Sequence, residues 1–176
     1  DRVQGRVAGI RLSDGMRVET PIFVNAAGPH LQIVGRMLGI ELPVYNELHL
    51  KLAMRDVQRV LDRHAPLVIW SDPQRLDWSD EEREFLQQEP EGELLLSELP
   101  AGIHTRPDGG VDSPIILVLW EYHTRRVEPA WPIAEDALYP EVVVRGLARM
   151  IPGMRCYLHK MEKPRVDGGY YTKTAE

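Results

Sequence analysis

The chain has 176 residues, 43% of them hydrophobic, with 21 basic against 27 acidic side chains and a formal charge of −6, which suits one domain or one plus part of a second and gives no compositional footing for a nucleic-acid partner. No apolar run approaches the roughly 18 to 20 residues that span a bilayer, and no signal-like leader opens the chain, so no membrane span and a cytoplasmic setting are expected. Cys156 is the only cysteine, which excludes an intrachain disulfide and a thiolate metal cluster and leaves a reduced bystander thiol.

In chain order, Val3 to Leu12 and Met16 to Glu19 flank the turn cluster Ser13-Asp14-Gly15 and predict a hairpin. Ile22-Phe23-Val24 is a short apolar run of the kind found in a strand covered on both faces, ended by Asn25-Ala26-Ala27-Gly28-Pro29. A helix is predicted from about His30 to Leu38, with Leu31, Val34, Met37 and Leu38 at helical spacing and Gly39 as its stop. After Pro43, strand-like segments at Leu48 to Met54, Leu67 to Trp70, Ile103 to Arg106 and Ile115 to Tyr122 predict a largely antiparallel sheet. Ser79-Asp80-Glu81-Glu82 fits a capping box that opens a polar, solvent-facing helix to about Gln88. From Pro140 to about Met150 the pattern is again helical, with Val143, Leu147, Met150 and Ile151 as the expected buried stripe. Arg165 to Thr174 reads as a last strand interrupted by Gly168-Gly169, and the chain's two ends read as boundaries within a longer protein.

The local motifs of dinucleotide sites, P-loops and serine hydrolases are absent, and no two of the six histidines have the spacing of a helical metal site, so no metal is expected. Small residues at Ala26, Ala27 and Gly28 permit close approach of a ligand to the backbone, or serve a tight strand-to-helix turn. Gly168 and Gly169 offer the same choice between a flat cofactor and a β-bulge. His123 at the end of an apolar strand could handle a proton near neutral pH, or be a satisfied edge-strand histidine. Tyr170 and Tyr171 must point to opposite faces of their strand, and alternation does not say which faces the core. His49, Arg106, Tyr122 and His123 are the candidate pocket groups, with Arg106 sitting in a Pro-Asp-Gly-Gly turn that equally suits a structural role.

Taken in order, several stretches resemble the D-amino-acid oxidase superfamily, and within it the glycine oxidase and monomeric sarcosine oxidase-like flavoproteins. "VAGIRLSDGMRVETPIFVNAAGPH" resembles the family's hairpin and the strand end that lies near its flavin, and "LGIELPV" is similar to the passage from its FAD domain into its substrate domain. "HTRPDGG" resembles an Arg-Pro-x-Gly turn, "WEYHTRRVEP" the Gly-Tyr-His-Thr segment of sarcosine oxidases, and "GGYYTKTAE" their Cys-Met-Tyr-Thr segment.

The resemblance implies an α+β fold: a mostly antiparallel mixed sheet with flanking helices, accompanied by strands left from an FAD-binding domain. It implies residues 1–45 as a remnant of that domain, 46–163 as the substrate domain and 164–176 as a strand returning to the FAD domain. His123 and Tyr171 take the place of active-site residues flanking the substrate, with His49, Arg106 and Tyr122 as substrate-binding candidates. Ala26, Ala27, Gly28, Gly168, Gly169 and Tyr170 take the place of flavin contacts. The activity implied is oxidation of the C–N bond of a small amine or amino acid, with flavin taking the electrons. Gly169 stands where covalent sarcosine oxidases carry a tethering cysteine, so FAD is expected to be non-covalent. The dinucleotide fingerprint belongs upstream and a closing flavin-contact segment downstream, so this piece alone is expected to be catalytically silent. Two competing expectations are a hydroxy-acid or glycerol-phosphate-type dehydrogenase and a non-catalytic flavoprotein subunit.

Overall fold

A computed structural model describes residues 1–134 and 136–174, with the backbone alone at Arg2. The last two positions of the 164–176 segment, Ala175 and Glu176, lie outside the described residues. The fold is α+β, and the chain separates into two compact units: a smaller one of Asp1–Glu47, Arg126–Pro129 and the chain from Tyr170 on, and a larger one of Leu48–Arg125 and Ala130–Gly169.

In the smaller unit the stretch expected as one strand from Val3 to Leu12 is split into two. β1 (Arg2–Val3) pairs with β2 (Arg6–Val7), and β3 (Gly9–Arg11) pairs with β4 (Arg17–Glu19). Gln4 and Gly5 both adopt positive φ, 50° and 78°, the requirement of a two-residue turn that matches strand twist. The expected Asp14-Gly15 turn closes the second hairpin, with the Met16 amide donating to Asp14 Oδ1 at 2.9 Å. Ile22 to Val24 is not a strand: no described strand pairs with it, and Ile22 and Val24 are exposed. An apolar run becomes a covered strand only where neighbours take up its backbone hydrogen bonds on both sides. α1 (Leu31–Met37) follows a single 3-10 turn, with Leu31 and Val34 half-buried and Met37 turned out to 74% exposure.

The core lies in the larger unit. β5 (Val44–Arg55), β6 (Val68–Ile69), β7 (His104–Pro107), β8 (Ile115–Leu119) and β9 (Arg165–Thr174) form an antiparallel sheet in the order β6-β7-β8-β5-β9. The sequence alternates as half-covered strands require: Leu50, Leu52 and Met54 of β5 and Ile116 and Val118 of β8 are buried, whereas Lys51 and Arg55 face solvent.

The helices of this unit are α2 (Asp80–Leu86), α3 (Gly92–Leu96) and α4 (Tyr139–Met150). α2 starts on the predicted capping box, with the Glu82 amide donating to Ser79 Oγ and the Ser79 amide to Glu82 Oε2. It is not wholly solvent-facing: Leu86 is buried, and Glu82 Oε1 accepts from the buried Arg145 of α4 at 2.5 Å. α4 buries far more than the expected stripe, because every residue from Val142 to Ala148 is covered, whereas Met150 and Ile151 are half-buried. The extra coverage comes from distant chain: Arg145 lies over the Trp78 ring and donates to the Asp77 carbonyl and Glu82, and Gly146 packs against Trp120 and Ile103.

Two buried polar ties fix this core. Tyr139 donates its hydroxyl to the Leu50 carbonyl at 2.5 Å, joining α4 to β5. Asp56, just beyond β5, accepts from the Tyr157 hydroxyl at 2.6 Å and from the Val60 and Leu61 amides. Burial, helped by the Asp56 carboxylate, pushes the Tyr157 phenol well above its ordinary range, which keeps it an O–H donor.

Candidate functional site

His123 follows the buried Trp120 and Tyr122 on the segment leaving β8. Its Nε2 lies 3.3 Å from Glu91 Oε2 and 3.5 Å from Asp136 Oδ2. The three side chains are half-buried and come from three places: Glu91 from the residue before α3, His123 from the chain after β8, and Asp136 from the loop before α4. Beside them opens a shallow cleft of about 570 Å³ lined by Pro90, Glu91, Glu93, Tyr122, His123 and Arg125, among others.

Local structure fixes each carboxylate. Gly92, next to Glu91, has no room for a side chain, since a Cβ there would lie 1.5 Å from the Leu86 carbonyl oxygen. Glu91 Oε1 is held by Arg125 Nη2 at 3.0 Å. Asp136 Oδ1 accepts from the Leu138 and Tyr139 amides at 2.9 and 3.0 Å, fixing the turn just ahead of α4, while Oδ2 accepts from the Tyr122 hydroxyl at 3.3 Å. Burial works to raise the Asp136 pKa, but the hydrogen bond from His123 and the two backbone amides outweigh it and hold the carboxyl below its ordinary 3.8. Burial, with Asp136 second, drives the Tyr122 phenol far above its ordinary range. The Tyr122 ring is tilted against the His123 imidazole at a centroid distance of 4.2 Å and stacks on Tyr139 at 5.9 Å.

The donor atoms of Glu91, His123 and Asp136 all lie within 4.8 Å of one another, a separation that would also suit a divalent cation. Arg125 already neutralises Glu91, however, and Asp136 already accepts from a phenol and two amides. The trio therefore reads as a histidine facing two carboxylates, each fixed by its own partners.

The other candidate positions differ in character. Tyr122 is buried and reaches the cleft only as its wall, its hydroxyl engaged by Asp136. His49 is buried on β5, with Nδ1 2.8 Å from Glu121 Oε1. Arg106 is exposed, and its Nη1 is taken by Asp108 Oδ1 at 2.8 Å and the Pro107 carbonyl, the arrangement of a turn staple. Tyr171 is 55% exposed and Tyr170 half-buried, which resolves the alternation left open by the sequence.

The Asn25 side chain shapes the small-residue turn, donating to the Leu31 carbonyl and accepting from the Ala27 amide. Ala26 and Gly28 are exposed and Ala27 is half-buried. Gly28 has a φ of 53°, and nothing lies within 4 Å of where its Cβ would be. Gly168 is a packing glycine, because a Cβ there would meet the His49 carbonyl oxygen and Leu50 Cδ2 at 2.8 Å. Gly169 has open space instead.

Sequence reasoning missed Glu91, Asp136 and Arg125. For Asp136 a signal existed, an Asp just ahead of Tyr139-Pro140, where an Asx cap opens a helix. For Glu91 there was none, since only the fold brings the start of α3 to the end of β8. Searches against protein-family models and curated proteins found no match to this chain.

Proposed function

We propose that the chain is the substrate-side part of a flavin-dependent oxidoreductase that oxidises the C–N bond of a small amine or amino acid. The observation that carries this reading is the placement of His123 beside a cleft, with its Nε2 facing the Glu91 and Asp136 carboxylates at 3.3 and 3.5 Å. Such a histidine suits proton handling and electrostatic tuning.

Charge favours an amine over the competing hydroxy-acid or glycerol-phosphate substrates. The cleft carries Glu91 and Glu93, with Asp136 behind His123, against the single cation Arg125, which is already paired. A field of that sign attracts an ammonium and repels a phosphate or carboxylate. Bound flavin would take the electrons as a hydride. The residues here are compatible with a flat cofactor at two of the expected positions, since Gly28 and Gly169 each leave open space beside the backbone, whereas Gly168 is closed by β5. His123 would meet the amine.

Turnover by the whole flavoprotein containing this chain tests the reading. Small primary and secondary amines and amino acids should support oxygen or dye reduction, and His123→Ala should lower kcat/KM by roughly 10² to 10⁴-fold, the span of a lost general acid–base group. Turnover of hydroxy acids or glycerol phosphate with none of amines would refute it.

A further inference from the structure

The frame around His123 determines which ring nitrogen faces a ligand. Both neighbours of Nε2 are carboxylate oxygens, Glu91 Oε2 at 3.3 Å and Asp136 Oδ2 at 3.5 Å, and ionised carboxylates only accept hydrogen bonds. Nε2 must therefore carry a proton in either charge state of the ring. Nδ1 has no hydrogen-bond partner among the described residues, and His123 lines the cleft. Each carboxylate is held from behind, Glu91 by Arg125 and Asp136 by two backbone amides and the Tyr122 hydroxyl. The tilted Tyr122 ring at 4.2 Å restricts rotation of the imidazole.

We propose that Glu91 and Asp136 are positioning residues that lock His123 in its Nε2–H tautomer, leaving the Nδ1 lone pair to accept a proton from a cationic amine in the cleft. The acceptor role rests on the oxidoreductase reading above; the tautomer lock does not. In the step, an N–H bond of the substrate ammonium breaks and an Nδ1–H bond forms. The amine keeps the electron pair and becomes neutral, the form from which a C–N bond can be oxidised. The positive charge passes to the imidazolium, which faces Glu91 and Asp136 through its Nε2–H. Glu93 on the cleft wall adds to this negative field, and Arg125, ion-paired with Glu91, opposes it.

The test is long-range ¹H–¹⁵N NMR of the chain labelled at histidine nitrogen, at a pH where the ring is neutral, with the urea-unfolded chain as reference. Folded His123 should show a pyrrole-type Nε2 and a pyridine-type Nδ1, with an Nε2–H share above that of the unfolded reference. Glu91→Ala should move the share back towards the reference, and Glu91→Gln, which keeps an accepting oxygen, should restore it. A dominant Nδ1–H form in the wild type, or a ratio indifferent to Glu91→Ala, would overturn the lock. So would saturable displacement of the Nε2 signal by added Zn²⁺, which would make the trio a metal site. In the whole flavoprotein, Glu91→Ala should depress kcat/KM most at low pH, where the amine arrives protonated, with Glu91→Gln rescuing it. A locked tautomer in a protein that oxidises no amine would overturn the acceptor role and the oxidoreductase reading together, while the lock would stand.

Discussion

Asp136 does two jobs with its two oxygens: Oδ1 holds the turn that leads into α4, and Oδ2 receives the Tyr122 hydroxyl and faces His123. Its removal would therefore disturb helix and site together, which is why Glu91, whose side chain caps nothing, is the cleaner probe of the histidine. Asp56 is the purely structural counterpart. Asp56→Ala would strand the Tyr157 hydroxyl and two amides in a buried place, and should cost roughly 2 to 4 kcal/mol in urea unfolding. Glu82 predicts a pH dependence. Burial works to raise its pKa, but the Ser79 amide, Arg145 and His159 outweigh burial and hold it below the ordinary 4.5. A depressed carboxylate contributes stability that is complete above its unfolded value and is lost as pH falls through the lower folded value. Glu82→Gln should therefore lower the urea midpoint at pH 7, and the gap from wild type should close as the pH drops below about 4.5. A gap that persists unchanged into acid would show that the ion pairs with Arg145 and His159 are not its source.

At the level of elements, what the sequence made legible was whatever depends on near neighbours. The Ser79-Glu82 capping box, the Asp14-Gly15 turn, the start of α4 at Tyr139-Pro140 and the alternation along β5 and β8 are all local signals, and all are present. Errors arose where distant chain decides the outcome. Ile22 to Val24 found no partner strand among the described residues, α4 is covered beyond its apolar stripe by Trp78 over Arg145 and Trp120 against Gly146, and α2 is drawn inward by Arg145. His123 was visible as a candidate, but the carboxylates that define it were not, because Glu91 and Asp136 reach it only through the packing of α3 and α4. Gly92 links this level to the site. Gly→Ala within a helix ordinarily gains up to about 1 kcal/mol, but here the new Cβ would strike backbone, so Gly92→Ala should cost roughly 1 to 3 kcal/mol or more and displace Glu91. Chemical denaturation reads the first effect, and the His123 tautomer ratio reads the second.

For the molecule as a whole, the α+β class follows from segments that alternate apolar and polar side chains before and after short helices, and a five-stranded antiparallel sheet with α4 against it is what those segments build. No helix among the described residues is long and apolar enough to cross a membrane. Fold class alone does not select a chemistry. The proposed function stands instead on the order of five short stretches along the chain and on the acidic cleft at His123. The most direct test of the proposed function is the visible absorption spectrum of the full-length protein supplied with FAD, recorded without oxygen before and after adding a panel of small amines, amino acids and hydroxy acids. Flavin bands that are released on denaturation and that bleach with amines or amino acids are the predicted result. A protein that purifies without flavin and takes up none when FAD is supplied would contradict the account at its centre.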